Sequence, residues 1–313
     1  MAFQREQMKA AAASLAARGI YIGTSSWKYA GWRGQLYDEG RYVWKGRLSE
    51  ARFERLCLAE YAEVFKSVCV DAAYYKFPTA SYLGEMVSQV PPDFQFALKV
   101  TDEITIKRFP NLPRFGRRAG EANERFLNAD LFASEFLGPC EAVRANIGLL
   151  MFEFSRFARA DYEHGREFVE VLDEFLGCIP KGWRYGVEIR NKKFLHPDYF
   201  AMLARHGVGH VFNSWTAMPP VEEQLAMAGS LTAPDFLGAR LLLRPGRGYE
   251  AAVKAFSPYQ SVKDLYPEGR TAGSQLIRSA AETGRKAFVY VNNRFEGSAL
   301  ETIAAMIEQA EQK

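Results

Sequence analysis

The stretch Tyr185-Gly186-Val187-Glu188-Ile189-Arg190 predicts a short buried strand that ends in a carboxylate and a guanidinium. Successive side chains of a strand point to opposite faces, so Val187 and Ile189 share one face while Glu188 and Arg190 share the other. A protein interior tolerates the charged face only where its charges are paired or lie at an opening to solvent. The stretch therefore predicts a strand whose polar end lies at the mouth of a sheet or barrel.

The same pattern, a short apolar run that ends in polar groups, recurs along the chain. Helical patterns separate the runs, which is typical of repeated βαβ units. Eight repeats, with no glycine-rich dinucleotide fingerprint after the first run, favour a (β/α)8 TIM-barrel-like α/β fold with parallel strands. The alternative is an open doubly wound sheet. The predicted strands span residues 20–25, 67–72, 94–100, 147–153, 185–190, 208–213, 237–244 and 287–293.

Apolar residues at helical spacing predict the intervening helices. An Ala-rich helix over 4–18, ended by Gly19, precedes the first strand and is extra to the barrel. We predict an N-terminal helical extension over 1–19 and a single domain over 20–313. Two further helices are predicted to begin after the caps Ser49 and Thr79. The remaining predicted helices span 121–136, 162–176, 197–205, 221–227, 271–283 and 300–310.

Composition limits the class of protein. The 313 residues carry a net charge of +3, which does not favour nucleic acid as the default partner. No apolar run reaches membrane-spanning length, and the N-terminal residues lack the apolar region of a signal peptide. We expect a cytoplasmic protein without a membrane partner. The four cysteines lie far apart and predict reduced thiols rather than disulfides or a zinc site: Cys57, Cys69, Cys140 and Cys178.

In a (β/α)8 barrel the reactive groups lie at the carboxyl ends of the strands. Alternation along the third strand points Lys99 into the barrel mouth, and along the seventh it points Arg240 and Arg244 inward. We predict three catalytic residues, Glu188, Lys99 and Asp71. Glu188 would be a general acid or base. The predicted substrate-binding residues are Trp27, Tyr29, Tyr74, Glu153, Arg190, Asn213, Arg244, Asn292 and Asn293.

Each of these assignments has a structural alternative. The charged strand ends can bind a phosphate or carboxylate, or can form an internal ion-pair network that closes the barrel top. The aromatic residues can stack on a sugar or base, or pack the loops. The paired asparagines can orient a ligand hydroxyl, or cap a helix or turn.

Other chemistry has weaker signals. The four histidines are scattered, so the sequence predicts no metal and no organic cofactor. Glu153 and Glu188 lie on adjacent predicted strands, as a glycosidase pair would, but the seventh strand ends in arginine. The basic segment 107–118, with Phe109 and Phe115 interleaved, can contact single-stranded nucleic acid or remain a solvated loop. Arg247 and Tyr249 predict a flap over the mouth.

Five motifs resemble the YecE-like family, also called the domain of unknown function 72 family, over nearly the whole chain. The family implies a TIM-barrel-like fold and no established reaction. The motifs are Ile22-Gly23-Thr24-Ser25-Ser26-Trp27-Lys28-Tyr29, Tyr61-Ala62-Glu63-Val64-Phe65 with Tyr74-Tyr75-Lys76-Phe77-Pro78, Pro92-Asp93-Phe94-Gln95-Phe96-Ala97-Leu98-Lys99-Val100, Val187-Glu188-Ile189-Arg190 and Tyr290-Val291-Asn292-Asn293.

Several positions depart from the family pattern and mark a divergent member. The family has Glu where this chain has Asp71, and a Gln-Leu-Pro-Pro turn where this chain has Phe152-Glu153-Phe154-Ser155. It has Arg-Leu-His-Gly where this chain has Leu243-Arg244-Pro245-Gly246, and a tryptophan that is replaced around Phe194.

Together these observations predict an uncharacterised TIM-barrel protein that is a metal-independent enzyme of the hydrolase, lyase or isomerase kind. Its substrate would be a small anionic molecule, phosphorylated or carboxylated and sugar-like. The alternative is a non-catalytic binding protein for phosphorylated ligands or single-stranded nucleic acid. The sequence does not predict the oligomeric state.

Overall fold

The computed structural model describes residues 3–312 and shows a closed barrel of eight parallel strands. The strands follow one another around the ring in chain order, and the last pairs with the first. The barrel, and not the open sheet, is therefore the fold. The strands are β1 (Ile20–Thr24), β2 (Ser67–Val70), β3 (Gln95–Lys99), β4 (Ile147–Phe154), β5 (Tyr185–Ile189), β6 (Gly209–Ser214), β7 (Phe236–Leu241) and β8 (Lys286–Val291).

Most of the helices that surround the barrel lie close to the positions that the apolar spacing predicts. The helix over 249–256 was not predicted, and it begins at Tyr249 in the segment interpreted as a flap. Ser49 and Thr79 cap their helices by accepting hydrogen bonds from backbone N–H groups, as predicted. The main helices are α1 (Arg5–Ala17), α2 (Glu50–Val64), α3 (Ala80–Val87), α4 (Gly165–Cys178), α5 (Pro197–His206), α6 (Val221–Ala226), α7 (Tyr249–Phe256), α8 (Pro267–Thr283) and α9 (Ala299–Glu311).

The predicted continuous helix over 121–136 was wrong. Leu127 has a left-handed backbone with φ of 52°, which a helix cannot accommodate. Asn128 then begins a new helical segment by accepting a hydrogen bond from Leu131 N. The segment continues as short helical pieces of differing geometry, Ala129–Leu131, Phe132–Leu137, Gly138–Cys140 and Glu141–Asn146.

The two faces of the strands pack in different hydrophobic cores. Val187 and Ile189 pack in the large core between barrel and helices, as do Phe96, Leu98 and Val100. A second buried cluster fills the barrel interior and consists of Cys69, Ala97, Leu149, Met151, Val211, Ala233, Phe236, Phe288 and Tyr290. Alternation therefore places Lys99, Glu153, Glu188 and Arg240 above this apolar plug, at the carboxyl end of the ring.

The β1–β2 contact is the weakest seam of the ring. Thr24 and Val68 are the one registered pair between these strands among the described residues. The hydroxyl of Tyr61, on α2, inserts there: it accepts a hydrogen bond from Thr24 N at 3.1 Å and donates one to Ser67 O at 3.0 Å. A side chain thus replaces part of the missing ladder.

A helix and a hairpin are additions to the barrel. Helix α1 buries Met8, Ala12 and Leu15 and ends before Gly19, whose φ of 79° suits glycine. The β1–α2 connection contains a two-stranded hairpin, Val43–Trp44 with Arg47–Leu48.

Within residues 3–312, no helix is long and apolar enough to cross a lipid bilayer. The four cysteines are free thiols, as their spacing predicts.

Candidate functional site

Six ionisable side chains meet at the carboxyl end of the barrel, and we call them the ion cluster. They come from β3, β4, β5 and β7 and from the residues that directly follow β2 and β5. Three are carboxylates and three are cations, so the ion cluster is formally neutral. Its members are Asp71, Lys99, Glu153, Glu188, Arg190 and Arg240.

Glu153 is the centre of the ion cluster. Its Oε2 lies 2.8 Å from Lys99 Nζ, 2.9 Å from Arg190 Nη2 and 2.5 Å from Arg240 Nη1. Burial raises the pKa of this carboxyl, but the three cations outweigh burial and hold the pKa well below its ordinary value. Glu153 is therefore an anion at neutral pH.

Glu188 is held from both sides and is fully buried. Its Oε1 lies 3.0 Å from both Nε and Nη2 of Arg190, and its Oε2 lies 2.6 Å from Arg240 Nη1. Glu153 and Glu188 are register partners on β4 and β5. Two like charges side by side are destabilising, so the arginines are required to hold this pair.

Asp71 is the carboxylate of the ion cluster that solvent reaches. Its side chain is 34% exposed, against 4% for Glu153 and 0% for Glu188. Its Oδ1 lies 3.6 Å from Lys99 Nζ and 3.3 Å from Arg240 Nη2. Burial lowers the pKa of Lys99, but Glu153 and Asp71 outweigh burial and raise it above its ordinary value, so Lys99 is an ammonium at neutral pH.

Aromatic rings cover two of the cations. Lys99 Nζ lies 4.0 Å from the ring centroid of Tyr74, and the guanidinium carbon of Arg190 lies 3.8 Å from that of Trp215. Burial raises the pKa of Tyr74 to about 12, so it is a neutral phenol. The barrel mouth is thus largely filled by its own side chains.

Arg244 lies apart from the ion cluster, and the expectation that it points inward beside Arg240 was wrong. Strand β7 ends at Leu241, so the alternation of faces does not extend to Arg244. Its guanidinium instead pairs with Asp264 at 3.4 Å and lies over the Tyr266 ring. Arg247 pairs with the same Asp264. The predicted flap is therefore held by an ion pair to another part of the connection between β7 and α8.

The three asparagines that the sequence predicts to bind substrate form hydrogen bonds with backbone groups. Asn213 is buried and donates to Ile189 O at 3.1 Å. Asn292 accepts a hydrogen bond from Arg294 N, and Asn293 accepts one from Ala299 N, the first residue of α9. The contacts of Asn292 and Asn293 are those of turn and helix caps, whereas Asn213 links β6 to the end of β5.

The predicted aromatic residues of the first loop are packed. Trp27 is 7% exposed, and its carbonyl accepts a hydrogen bond from the Tyr37 hydroxyl at 2.5 Å. Tyr29 contacts the rings of Trp32 and Tyr259, at centroid distances of 4.7 and 5.6 Å.

Two cations of the basic segment 107–118 form close ion pairs, and a third is held by a backbone carbonyl. Arg114 pairs with Asp102 at 2.6 Å, Arg118 pairs with Glu103 at 2.6 Å, and Lys107 donates to the carbonyl of Asp161. Phe109 and Phe115 are buried against each other and are not free to stack on bases.

The sequence interpretation gave no role to Arg240, although alternation placed it inward. It also missed four exposed cations around a cavity of about 700 Å³ beside the ion cluster, Arg156, Arg159, Lys192 and Lys193. Their signal in the sequence is two pairs of basic residues, one within five residues of the end of β4 and one within four residues of the end of β5. In residues 3–312, no three side chains of His, Cys, Asp or Glu come together in a way that could hold a metal ion.

A closed ring of eight parallel strands, with ionic groups collected at its carboxyl end, defines a TIM-barrel protein. The chain belongs to the DUF72 family: the model for "Protein of unknown function DUF72" matches residues 21–313. This confirms the family indicated by the motifs.

Solved structures of the same family share the fold. A DUF72 protein from Enterococcus faecalis V583, solved at 2.52 Å, is 16% identical with a TM-score of 0.60, covering 94% of this chain and 98% of that one. One from Thermotoga maritima MSB8, solved at 2.20 Å, is 17% identical with a TM-score of 0.56, covering 94% and 99%. No curated protein matches the chain.

Proposed function

We propose that this protein is an enzyme that performs acid–base chemistry on a small anionic molecule at the carboxyl end of the barrel, with Asp71 as the proton-transferring group. One observation carries the proposal. Asp71 is a third exposed, while two buried cations contact it from below, Lys99 and Arg240. A general acid or base must reach the proton that it transfers, and Asp71 is the carboxylate of the ion cluster that meets this condition best.

The two buried glutamates have a different part in this proposal. Glu188, which the sequence interpretation made the general acid or base, has no exposed surface and has each oxygen bound to an arginine. Glu153 is held as an anion by three cations. Both therefore position Arg190, Arg240 and Lys99, and do not themselves exchange protons with a substrate.

Lys99 supplies positive charge beside Asp71. Its ammonium is fixed between Glu153 and the Tyr74 ring, so it is already oriented before a ligand binds. A preorganised cation stabilises negative charge that develops on a bound molecule without the cost of reorganisation.

The test is a turnover screen with phosphorylated and carboxylated sugars, followed by Asp71→Asn. We expect kcat to fall at least about 100-fold, as is typical for loss of a general acid or base, while circular dichroism shows that the variant remains folded at the assay temperature. The matched control is Asp93→Asn, which removes an exposed carboxylate just before β3 that pairs with Lys66. Full turnover by Asp71→Asn would contradict the proposal, and binding without turnover across the panel would favour the non-catalytic alternative.

A further inference from the structure

The cavity of about 700 Å³ beside the ion cluster, which we call the basic cavity, lies between the loops that follow β4 and β5. Residues 156–159, 162 and 163 form one side and residues 190–194 form the other, with Ala217 from the loop after β6. These loops are at the same end of the barrel as the ion cluster. A volume of this size accommodates a drug-sized molecule.

The charge of the basic cavity is strongly unbalanced. Five cations line it, Arg156, Arg159, Arg190, Lys192 and Lys193, against one carboxylate, Glu163. Glu153 and Glu188 already neutralise Arg190, so the excess positive charge comes from the exposed cations. Arg159 and Glu163 approach only to 3.8 Å and are both highly exposed, so this pair contributes little. Across residues 3–312, Arg156, Lys192 and Lys193 have no carboxylate within ion-pair distance. Like charges grouped around a shared hollow repel one another, and a bound anion would relieve that repulsion.

The floor of the basic cavity is aromatic. Phe157, Tyr162 and Phe194 line it and are each more than nine-tenths buried. The ring centroid of Phe157 lies 5.1 Å from that of Tyr162 and 6.3 Å from that of Phe194, so the three rings form one contiguous apolar surface. Each of these residues keeps 6–8% of its surface exposed, so an apolar or ring-shaped part of a ligand would gain contact there without stacking on a freely exposed ring.

Arg190 belongs to both the basic cavity and the ion cluster. Glu153 and Glu188 hold its guanidinium on one side, and the Trp215 ring covers it. Its side chain is only 11% exposed, so its position is set before any ligand arrives. A preorganised guanidinium loses little conformational entropy on binding, and its N–H groups can donate hydrogen bonds to the oxygens of a phosphate.

We infer that the basic cavity binds the phosphate group of a phosphate monoester, whose organic part lies on the aromatic floor. The net charge of the lining favours an anion of about −2, the charge of a phosphate monoester near neutral pH, over a singly charged carboxylate. The inference extends the proposed function, because it names the class of the anionic substrate. Binding tests it without any need for turnover.

The experiment measures binding of phenyl phosphate, inorganic phosphate and benzoate by calorimetry at constant ionic strength. We expect phenyl phosphate to bind at least tenfold more tightly than benzoate and at least threefold more tightly than inorganic phosphate. The double variant Lys192→Ala/Lys193→Ala should weaken phenyl phosphate binding at least tenfold. Both lysines are exposed and have no ion-pair partner in the described part of the chain, so the melting temperature of the double variant should match that of the parent.

The matched control is Lys9→Ala/Arg18→Ala, which removes two exposed charges at α1 and should leave binding within twofold. Equal weakening by the two double variants would overturn the inference, because it would indicate a non-specific charge effect. Benzoate binding as tight as phenyl phosphate would overturn the phosphate assignment. Phosphate binding that survives in an inactive Asp71→Asn protein would support this site whatever the fate of the proposed reaction.

Discussion

Arg240 and Glu188 lie on β7 and β5, with β6 between them, and meet across the barrel interior at 2.6 Å between Nη1 and Oε2. The exposed fractions of their side chains are 3% and 0%. Removing two such charges from water costs several kcal/mol each, so neither would be stable there alone. The pair links two strands that are not hydrogen-bonded to each other, and it makes the ion cluster a structural element as well as the surroundings of Asp71.

Glu188→Gln should destabilise the protein by about 3 kcal/mol, because it leaves two buried arginines with one carboxylate fewer between them. Urea unfolding followed by circular dichroism measures the change. The matched control is Glu141→Gln, which breaks a surface pair with Arg144 and should cost less than about 0.5 kcal/mol. Equal midpoints for Glu188→Gln and the parent would show that the ion cluster does not support the barrel.

Glu153 should make stability fall in acid. Its folded pKa is depressed, so its contribution is fully present above its unfolded pKa, near 4.5, and is lost as pH falls toward the folded pKa. The stability gap between the parent and Glu153→Gln, measured by urea unfolding, should therefore narrow between pH 6 and pH 3. A difference in stability between the two proteins that stays constant over this pH range would contradict the lowered pKa of Glu153.

His210 should produce a second, separate dependence on pH. Burial lowers its pKa to about 4, with a smaller opposing effect from Gln224. Its ring packs among Tyr199, Phe200 and Phe212, and the Tyr199 hydroxyl lies 3.3 Å from Nδ1. Neutral His210 stabilises the fold fully above pH 6.5, and this contribution is lost as pH falls toward the folded pKa.

The parent should consequently lose about 2 kcal/mol more than His210→Gln between pH 7.5 and pH 5. Urea unfolding at the two values measures the difference. His164→Gln serves as the matched control for loss of an imidazole, because His164 is exposed at the start of α4. Identical losses in parent and His210→Gln would mean that His210 titrates normally.

Tyr61→Phe should cost about 2 kcal/mol, because it leaves Thr24 N and Ser67 O unpaired at the β1–β2 seam. Tyr82→Phe is the control: Tyr82 is half-buried, and its hydroxyl makes no hydrogen bond among the described residues. Hydrogen exchange should show faster exchange of Thr24 N–H in Tyr61→Phe alone. Protection equal to that of the parent would show that the seam closes without the hydroxyl.

The strands could be predicted because their signal is local. All eight apolar runs became strands within a few residues of the predicted ends, since alternation and burial are encoded in consecutive residues. At two positions the pattern of neighbouring residues gave the wrong prediction. Leu127 adopts a left-handed conformation that no apolar spacing reveals, and Arg244 lies beyond the end of β7, outside the alternation.

The ion cluster could be predicted only in part. Alternation correctly brought Lys99, Glu188 and Arg190 to one end of the ring, and the structure adds Arg240 as the residue that spans it. The exposure of Asp71, and the enclosure of Glu188, depend on how loops and aromatic rings cover the mouth. No periodicity carries that information.

The order of strands and helices, and the end of the barrel at which polar groups collect, follow from the sequence alone, because both are set by side-chain alternation over a few residues. Only the tertiary structure decided which charges pair, which carboxylate meets solvent and where unpaired cations surround a hollow. Those outcomes depend on distances between residues far apart in the chain, such as Arg240 and Glu153, which closure of the ring brings to 2.5 Å.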